Sequence, residues 1–308
     1  MPSPSAITQP GFALSALKLM RPKQWVKNLF VFAPVIFAKG LFDPIQITLA
    51  LKAFAGFCLA ASAVYIINDI ADIDADRGHP EKKYRPLAAG TMSISGAGIL
   101  LGLLLVCTTL IALTMPPMYA SILATYVLMN IAYSIKLKEV VLLDVFIIAS
   151  GFMMRVLAGA FAIGAAVSSW IVLCTLFISL FLGFAKRRGE LVASQSVGTS
   201  SERKVLNLYS VGFIDQMLTI AASGTVIAYA LYTVAPRTVE VFGTDQMIYT
   251  TIFVLYGVFR YLYLIHTTTS TENPTNAIIS DRTTLIVAGL WITTCVFLIY
   301  FGPHHIPH

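Results

Sequence analysis

An all-α, polytopic membrane protein with nine transmembrane helices is the fold class this sequence predicts, on three observations. Of its 308 residues, 57% are hydrophobic and 12% are charged, about half the charged share of a soluble domain. Its apolar residues fall in runs of roughly 20, the length at which a helix crosses a bilayer. Its lysines and arginines are concentrated in alternate connections between those runs, with Lys52, Arg155 and Arg260 within them. Together these features exclude a disordered chain, a collagen-like repeat and an ordinary water-soluble enzyme.

The apolar runs lie at about 27–41, 45–68, 95–114, 118–135, 142–164, 168–185, 211–235, 246–266 and 282–301. The first is short and is interrupted by Pro34. Residues 1–12 are expected to be a flexible tail and not a cleaved leader, because the opening MPSPSAITQP has no apolar core. Residues 13–22 fit an interfacial helix. One integral-membrane domain, with its bundle over 27–301, accounts for the rest. Cys58, Cys107, Cys174 and Cys295 sit in apolar runs without metal-ligand or redox spacing, and read as small buried hydrophobes.

Orientation follows from the cations. Sixteen stand on one side: Lys18, Arg21, Lys23, Lys27, Arg77, Lys82, Lys83, Arg85, Lys136, Lys138, Lys186, Arg187, Arg188, Arg203, Lys204 and Arg282. The other side has Lys39 and Arg237. That asymmetry puts the N-terminus in the cytoplasm of a cell-membrane protein and the C-terminus outside. The net charge of +6 is then an orientation signal, with no role for nucleic acid. The inner connections are also the long, polar ones, so aqueous chemistry belongs on that face.

The second run passes directly into Asn68-Asp69-Ile70-Ala71-Asp72-Ile73-Asp74-Ala75-Asp76-Arg77. At about 100° per residue, Asp69, Asp72 and Asp76 share one helical face with Asn68 beside them, while Asp74 points away to solvent. Like charges at this spacing repel unless a cation neutralises them. Oxygen-only ligands suit Mg²⁺ held by a few carboxylates plus substrate phosphates. A solvated acidic cap is the plainer alternative. Against it stand Arg77, His79, Lys82, Lys83 and Arg85, which follow at once and are suited to the oxygens of a diphosphate.

Further inner segments are less specific. Tyr133 and Lys138 are placed to meet a sugar or phosphate, or belong to a plain positive-inside loop. Arg155 lies within an apolar run, where a guanidinium is costly unless it is paired or borders a polar cavity; Asp144 or a substrate phosphate is its expected partner. Lys186-Arg187-Arg188 reads as a membrane-surface anchor or a clasp for an anionic lipid headgroup. Asp215 and Arg260 read as functional groups or as a mutual ion pair. The terminal His304, His305 and His308 are too far from the acidic face to join it.

NDIADIDAD matches the NDxxDxxxD signature of the UbiA superfamily, and the whole chain resembles that family's phosphoribosyl-transferring branch. The segments that carry the resemblance are RPKQWVKNLFVFAP, NDIADIDADRGHPEKKYRPLAAG, YSIKLKEVVLLDV, GFMMRVLAGAFA, SSWIVLCTLF, FAKRRGEL, VLNLYSVGFIDQM and YGVFRYLYL. Many prenyl-transferring relatives carry a second aspartate-rich motif; this chain offers only Glu139 and Asp144 there. The resemblance implies a nine-helix bundle with a cytoplasm-facing site and Mg²⁺ on Asn68, Asp69, Asp72 and Asp76. It implies phosphoribosyl pyrophosphate as donor, with Arg77, Lys82, Lys83 and Arg85 on its phosphates and Tyr133, Lys138, Asp144 and Arg155 along the ribose. A polyprenyl phosphate drawn from the bilayer would be the acceptor, its phosphate on Lys23, Lys27, Lys186, Arg187 and Arg188. The product would feed a cell-envelope arabinose donor. Prenyl transfer to an aromatic acceptor and transport of an anionic lipid are the competing functions. A homo-oligomer is compatible with the sequence.

Overall fold

The structure, a computed structural model, describes residues 11–79, 82–197, 204–267 and 281–302. The tail over 1–10, Arg203, His304, His305 and His308 lie outside the described residues. Among the described residues there is no strand, and eight helices are long and apolar enough to cross a membrane.

Helix α1 (Phe12–Met20) forms over most of the segment expected to be a short helix, burying Ser15 and Leu19 and exposing Phe12, Leu14 and Leu17. The expected first span is not one helix. A 3₁₀ segment, Pro22–Phe32, runs into the five-residue α2 (Ala33–Phe37). Pro34 sits in the first turn of α2, where a missing N–H costs nothing, so the proline starts the helix and does not kink it.

The spans follow as α3 (Pro44–Ala71), then, after the short α4 (Ile73–Gly78), α5 (Ile94–Leu113), α6 (Pro117–Ile135), α7 (Leu143–Ala162) and α8 (Ser169–Val197). After them come α9 (Val211–Val234), the short α10 (Pro236–Phe242), α11 (Thr251–Thr267) and α12 (Arg282–Tyr300). Side-chain caps begin several of them. Asp43 accepts from Ile45 N and Gln46 N ahead of α3, and Ser210 and Asp281 cap α9 and α12.

Helices α3 and α7 are central, with 61% and 56% of their apolar windows buried against 17% for α5, α6 and α12. Their inner faces are built from small residues, Ala53, Gly56, Ala60 and Ala61 on α3 and Ala158, Gly159 and Ala162 on α7, which let backbones approach closely. The closest approach is at Gly159, where any Cβ would collide with the Val31 carbonyl. This glycine seats the 3₁₀ segment against α7. The segment is further pinned by Trp25 Nε1–H donating to Ser62 Oγ (3.1 Å) and Asn28 Nδ2–H donating to Cys58 Sγ (3.2 Å).

Candidate active site

Helix α3 stops at Ala71 because Asp72 leaves helical geometry (φ −102°, ψ 13°), and α4 resumes at once. Hydrogen bonds from Asp72 N to Asn68 O (2.9 Å) and from Asp76 N to Asp72 O (2.8 Å) carry the register across the break. Asp69 and Asp76 are buried at 2% and 4% exposure, while the side chain of Asp74 is 89% exposed. The helical spacing sorted these four carboxylates correctly.

Each buried or half-buried carboxylate meets a cation from another element. Arg21, between α1 and the 3₁₀ segment, pairs with Asp69. Arg85 bridges Asp69 (3.1 Å) and Asp76 (2.6 Å). Lys138, from the α6–α7 connection, reaches Asp72 at 3.3 Å. Ser134 of α6 donates to Asn68 Oδ1. The repulsion along the acidic face is thus relieved by three cations, two of them guanidiniums that bond a carboxylate as readily as a phosphate.

Arg21 was counted from sequence only as a topology charge. It occupies the left-handed region (φ 53°, ψ 59°) and stacks its guanidinium on Tyr65 at 5.0 Å from the ring centroid. A non-glycine residue held there is uncommon, and such conformations gather at functional sites. Its one sequence signal is position, next to Pro22 in the RPKQW segment.

The residues fit a divalent cation. Asp69 Oδ2 is buried and takes no hydrogen bond among the described residues, leaving an acceptor open on the acidic face. Among the described residues no group of three His, Cys, Asp or Glu side chains is gathered closely enough to hold a metal ion; Mg²⁺ commonly takes only one or two carboxylates and completes its shell with water and phosphate oxygens.

Other expected donor contacts are distributed differently. Arg77 is exposed and pairs outward with Asp74 (3.0 Å), so it is withdrawn from the phosphate set. Lys82 and Lys83 form a short 3₁₀ turn beside α4; Lys83 is exposed, with its ammonium 5.2 Å from the Tyr84 ring. Tyr133 is half-buried next to Ser134, and Lys23 is exposed.

The KRR cluster is corrected as well. Arg187 is fully buried, its Nε 2.7 Å from Asp144 Oδ2, and it also pairs with Glu190. Tyr209 completes this knot. Its hydroxyl accepts from Leu142 N (2.6 Å) and donates to Asp144 Oδ1 (3.0 Å). Burial is the main cause that pushes the Tyr209 hydroxyl up to about 12, so it keeps the proton it donates. Asp144 and Arg187 lock α7 to α8. Arg188 pairs with Asp215 (2.7 Å) and donates to Ile265 O (2.8 Å), tying α8 to α9 and α11. Asp215 and Arg260 are not a mutual pair, because Arg260 bonds Asp281 at 2.8 Å. Lys186 lies 3.8 Å from Glu190.

Arg155 does not meet Asp144. Buried at 5% exposure, it donates to Asn28 Oδ1 (2.7 Å), Gly151 O (2.7 Å) and Tyr126 Oη (3.0 Å), and lies over the rings of Tyr126 and Phe152. Every one of these partners is neutral.

Beyond Arg155, an apolar cavity of about 370 Å³ opens between the 3₁₀ segment, α2, α7, α8, α9, α11 and α12. Phe30, Val156, Ile178, Gly257, Val287 and Trp291 are among its walls. At one end stands an aromatic cluster, Phe37, Tyr232 and Phe242, with ring centroids 6.0–6.3 Å apart.

An acidic helix end interleaved with cations is what the sequence resemblance leads one to expect. The model of the UbiA prenyltransferase family matches residues 29–280. The chain belongs to that family. Within it, the chain is 33% identical to decaprenyl-phosphate phosphoribosyltransferase of Mycolicibacterium smegmatis, over 97% of this chain and 96% of that protein. It is 31% identical to the protein of the same description from Corynebacterium glutamicum, over 93% and 87%. Among solved structures, the UbiA homolog from Archaeoglobus fulgidus bound to GPP and Mg²⁺ superimposes with a TM-score of 0.71, at 19% identity, over 92% of this chain and 99% of that one. The UbiA fold is thereby established for this integral-membrane chain.

Proposed function

We propose that this protein transfers the 5-phosphoribosyl group of phosphoribosyl pyrophosphate to a polyprenyl phosphate, with Mg²⁺, releasing pyrophosphate. The observation that carries this reading is the interleaving of Asp69, Asp72 and Asp76 with Arg21, Arg85 and Lys138. It is supported by near-full-length identity to relatives described as decaprenyl-phosphate phosphoribosyltransferases.

A divalent ion would be held by one or two carboxylates of the set Asn68, Asp69, Asp72 and Asp76 together with phosphate oxygens and water, and would supply Lewis-acid polarisation of the departing diphosphate. The chain's own residues do the rest by position and charge. Arg21, Arg85 and Lys138 turn from carboxylate to phosphate oxygens and neutralise the leaving group, with Lys82 and Lys83 nearby for its outer oxygens. As the bond from ribose C1 to the diphosphate breaks, positive charge develops on the ribose, and a lipid phosphate oxygen closes the new bond from the opposite face. That oxygen is already ionised, so no strong general base is required. Tyr133 lines the ribose side. The apolar cavity receives the isoprenoid tail, and the site faces the cytoplasm.

The deciding experiment incubates purified protein with Mg²⁺, polyprenyl phosphate and phosphoribosyl pyrophosphate labelled in the ribose. Label should enter the lipid phase. Label that stays in water, together with transfer from a prenyl diphosphate to an aromatic acceptor, would replace this reading with the other family activity. Arg77→Ala should keep turnover within about twofold of wild type, since an exposed pair contributes little. Gly257→Phe tests the cavity. A Cβ at Gly257 meets nothing within 4 Å, and leaving glycine favours the helix. The variant should fold normally and show a raised KM for the long-chain acceptor at an unchanged KM for the donor.

A further inference from the structure

Lys27 and Arg155 lie within the bundle without an anionic partner among the described residues. Lys27, half-buried on the 3₁₀ segment, makes no ion pair or hydrogen bond among the described residues. Arg155 spends three N–H groups on neutral oxygens, although a guanidinium has five. Arg155 Nε–H donates at 2.7 Å to Oδ1 of Asn28, the residue next to Lys27, so both cations stand at one stretch of the 3₁₀ segment, and Lys186 and Arg21 add to the positive field around Lys27. Mutual repulsion inside a bundle is costly, and intramembrane charges without a partner mark places where a ligand supplies one.

Their surroundings identify the anion. On one side of Lys27 lies Arg21, which is bonded to Asp69 of the acidic face. On the other, Phe30 stands one 3₁₀ turn along from Lys27, and Val156 follows Arg155; both line the apolar cavity. Phe152 links the two walls, packing edge-on against Phe30 at 5.2 Å and carrying the Arg155 guanidinium at 5.4 Å. A dication between a diphosphate site and a greasy cavity matches an anionic headgroup on a long apolar tail.

We infer that Lys27 and Arg155 form the seat of the acceptor phosphate, holding it at the cavity mouth with its nucleophilic oxygen toward the acidic face. This assignment rests on the proposed function; of the acceptor set that the resemblance implied it keeps Lys27. The seat lies in the bundle core, and Arg155 moves from the donor's ribose to the lipid. Arg187 and Arg188 hold helices together instead.

The test uses Lys27→Gln, Arg155→Lys and Arg155→Gln in the full chain, each purified in detergent. Two measurements are made separately: equilibrium binding of labelled polyprenyl phosphate without donor, and equilibrium binding of phosphoribosyl pyrophosphate with Mg²⁺ but no lipid. Lys27→Gln should weaken lipid binding about tenfold or more, as losing a charge-assisted hydrogen bond does, and leave donor binding within twofold. Arg155→Lys keeps the charge but loses the fork geometry, and should weaken lipid binding less than Arg155→Gln does. Loss of donor binding with lipid binding intact would overturn the assignment and make the pair a seat for the donor's 5-phosphate. Unchanged binding of both in Lys27→Gln would overturn it too. If wild type binds the lipid but transfers no phosphoribosyl group, the proposed reaction fails while the seat is still judged by the lipid arm.

Discussion

Asp69→Asn should abolish turnover, with at least a thousandfold loss in kcat and a normal elution profile in detergent. The substitution keeps shape and removes charge from a side chain that is 2% exposed and joined to both Arg21 and Arg85. On the proposed function two roles are lost together: the charge at the open acceptor Oδ2 that would face the divalent ion, and the anchor that positions the Arg21 and Arg85 guanidiniums. Groups that act as a unit lose most of their effect when one is removed, so Asp69→Asn should be nearly as inactive as Asp69→Asn combined with Asp72→Asn. Mg²⁺ titration separates this from misfolding. Wild type should gain thermal stability with Mg²⁺ and donor through ligand linkage, and the variant should not. Retained activity would remove Asp69 from the site.

The second large effect is on folding. Arg187→Leu should lower stability by about 3–5 kcal/mol, because it strands Asp144 as an uncompensated charge in the bundle core. The sequence reading of KRR as a lipid clasp leads to a different outcome, weaker acceptor binding at unchanged stability. Thermal unfolding in detergent distinguishes them. The double variant Asp144→Leu with Arg187→Leu should recover much of the loss, since apolar replacement of a buried pair is often neutral or better. A double variant no more stable than the single would refute the knot as the cause.

The acidic face was legible because helical periodicity is local arithmetic, and Asp69, Asp72, Asp74 and Asp76 fall where about 100° per residue puts them. The spans were legible for the same reason, save the first. There, length and apolarity were read correctly, but the backbone is a 3₁₀ segment, Pro22–Phe32, docked where Gly159 allows contact. That docking is a tertiary fact with no local signature. Charge pairing was the least legible layer. Arg187 and Arg188 are neighbours in sequence, yet they turn to Asp144 and Asp215 on different helices. Arg21 and Asp69 are 48 residues apart. Which cation finds which carboxylate depends on helix packing, and no spacing rule encodes it.

The triad of Phe37, Tyr232 and Phe242 has one more implication. Lys39 Nζ donates to Phe242 O (3.1 Å), and Tyr300 Oη bridges Leu41 N and Ile36 O, so the elements bearing the rings are clamped to one another. On the proposed function, a tail lodged in the apolar cavity would meet Phe37 and Tyr232 as walls held in place by these bonds, so the depth available to it is set by packing and not by mobile side chains.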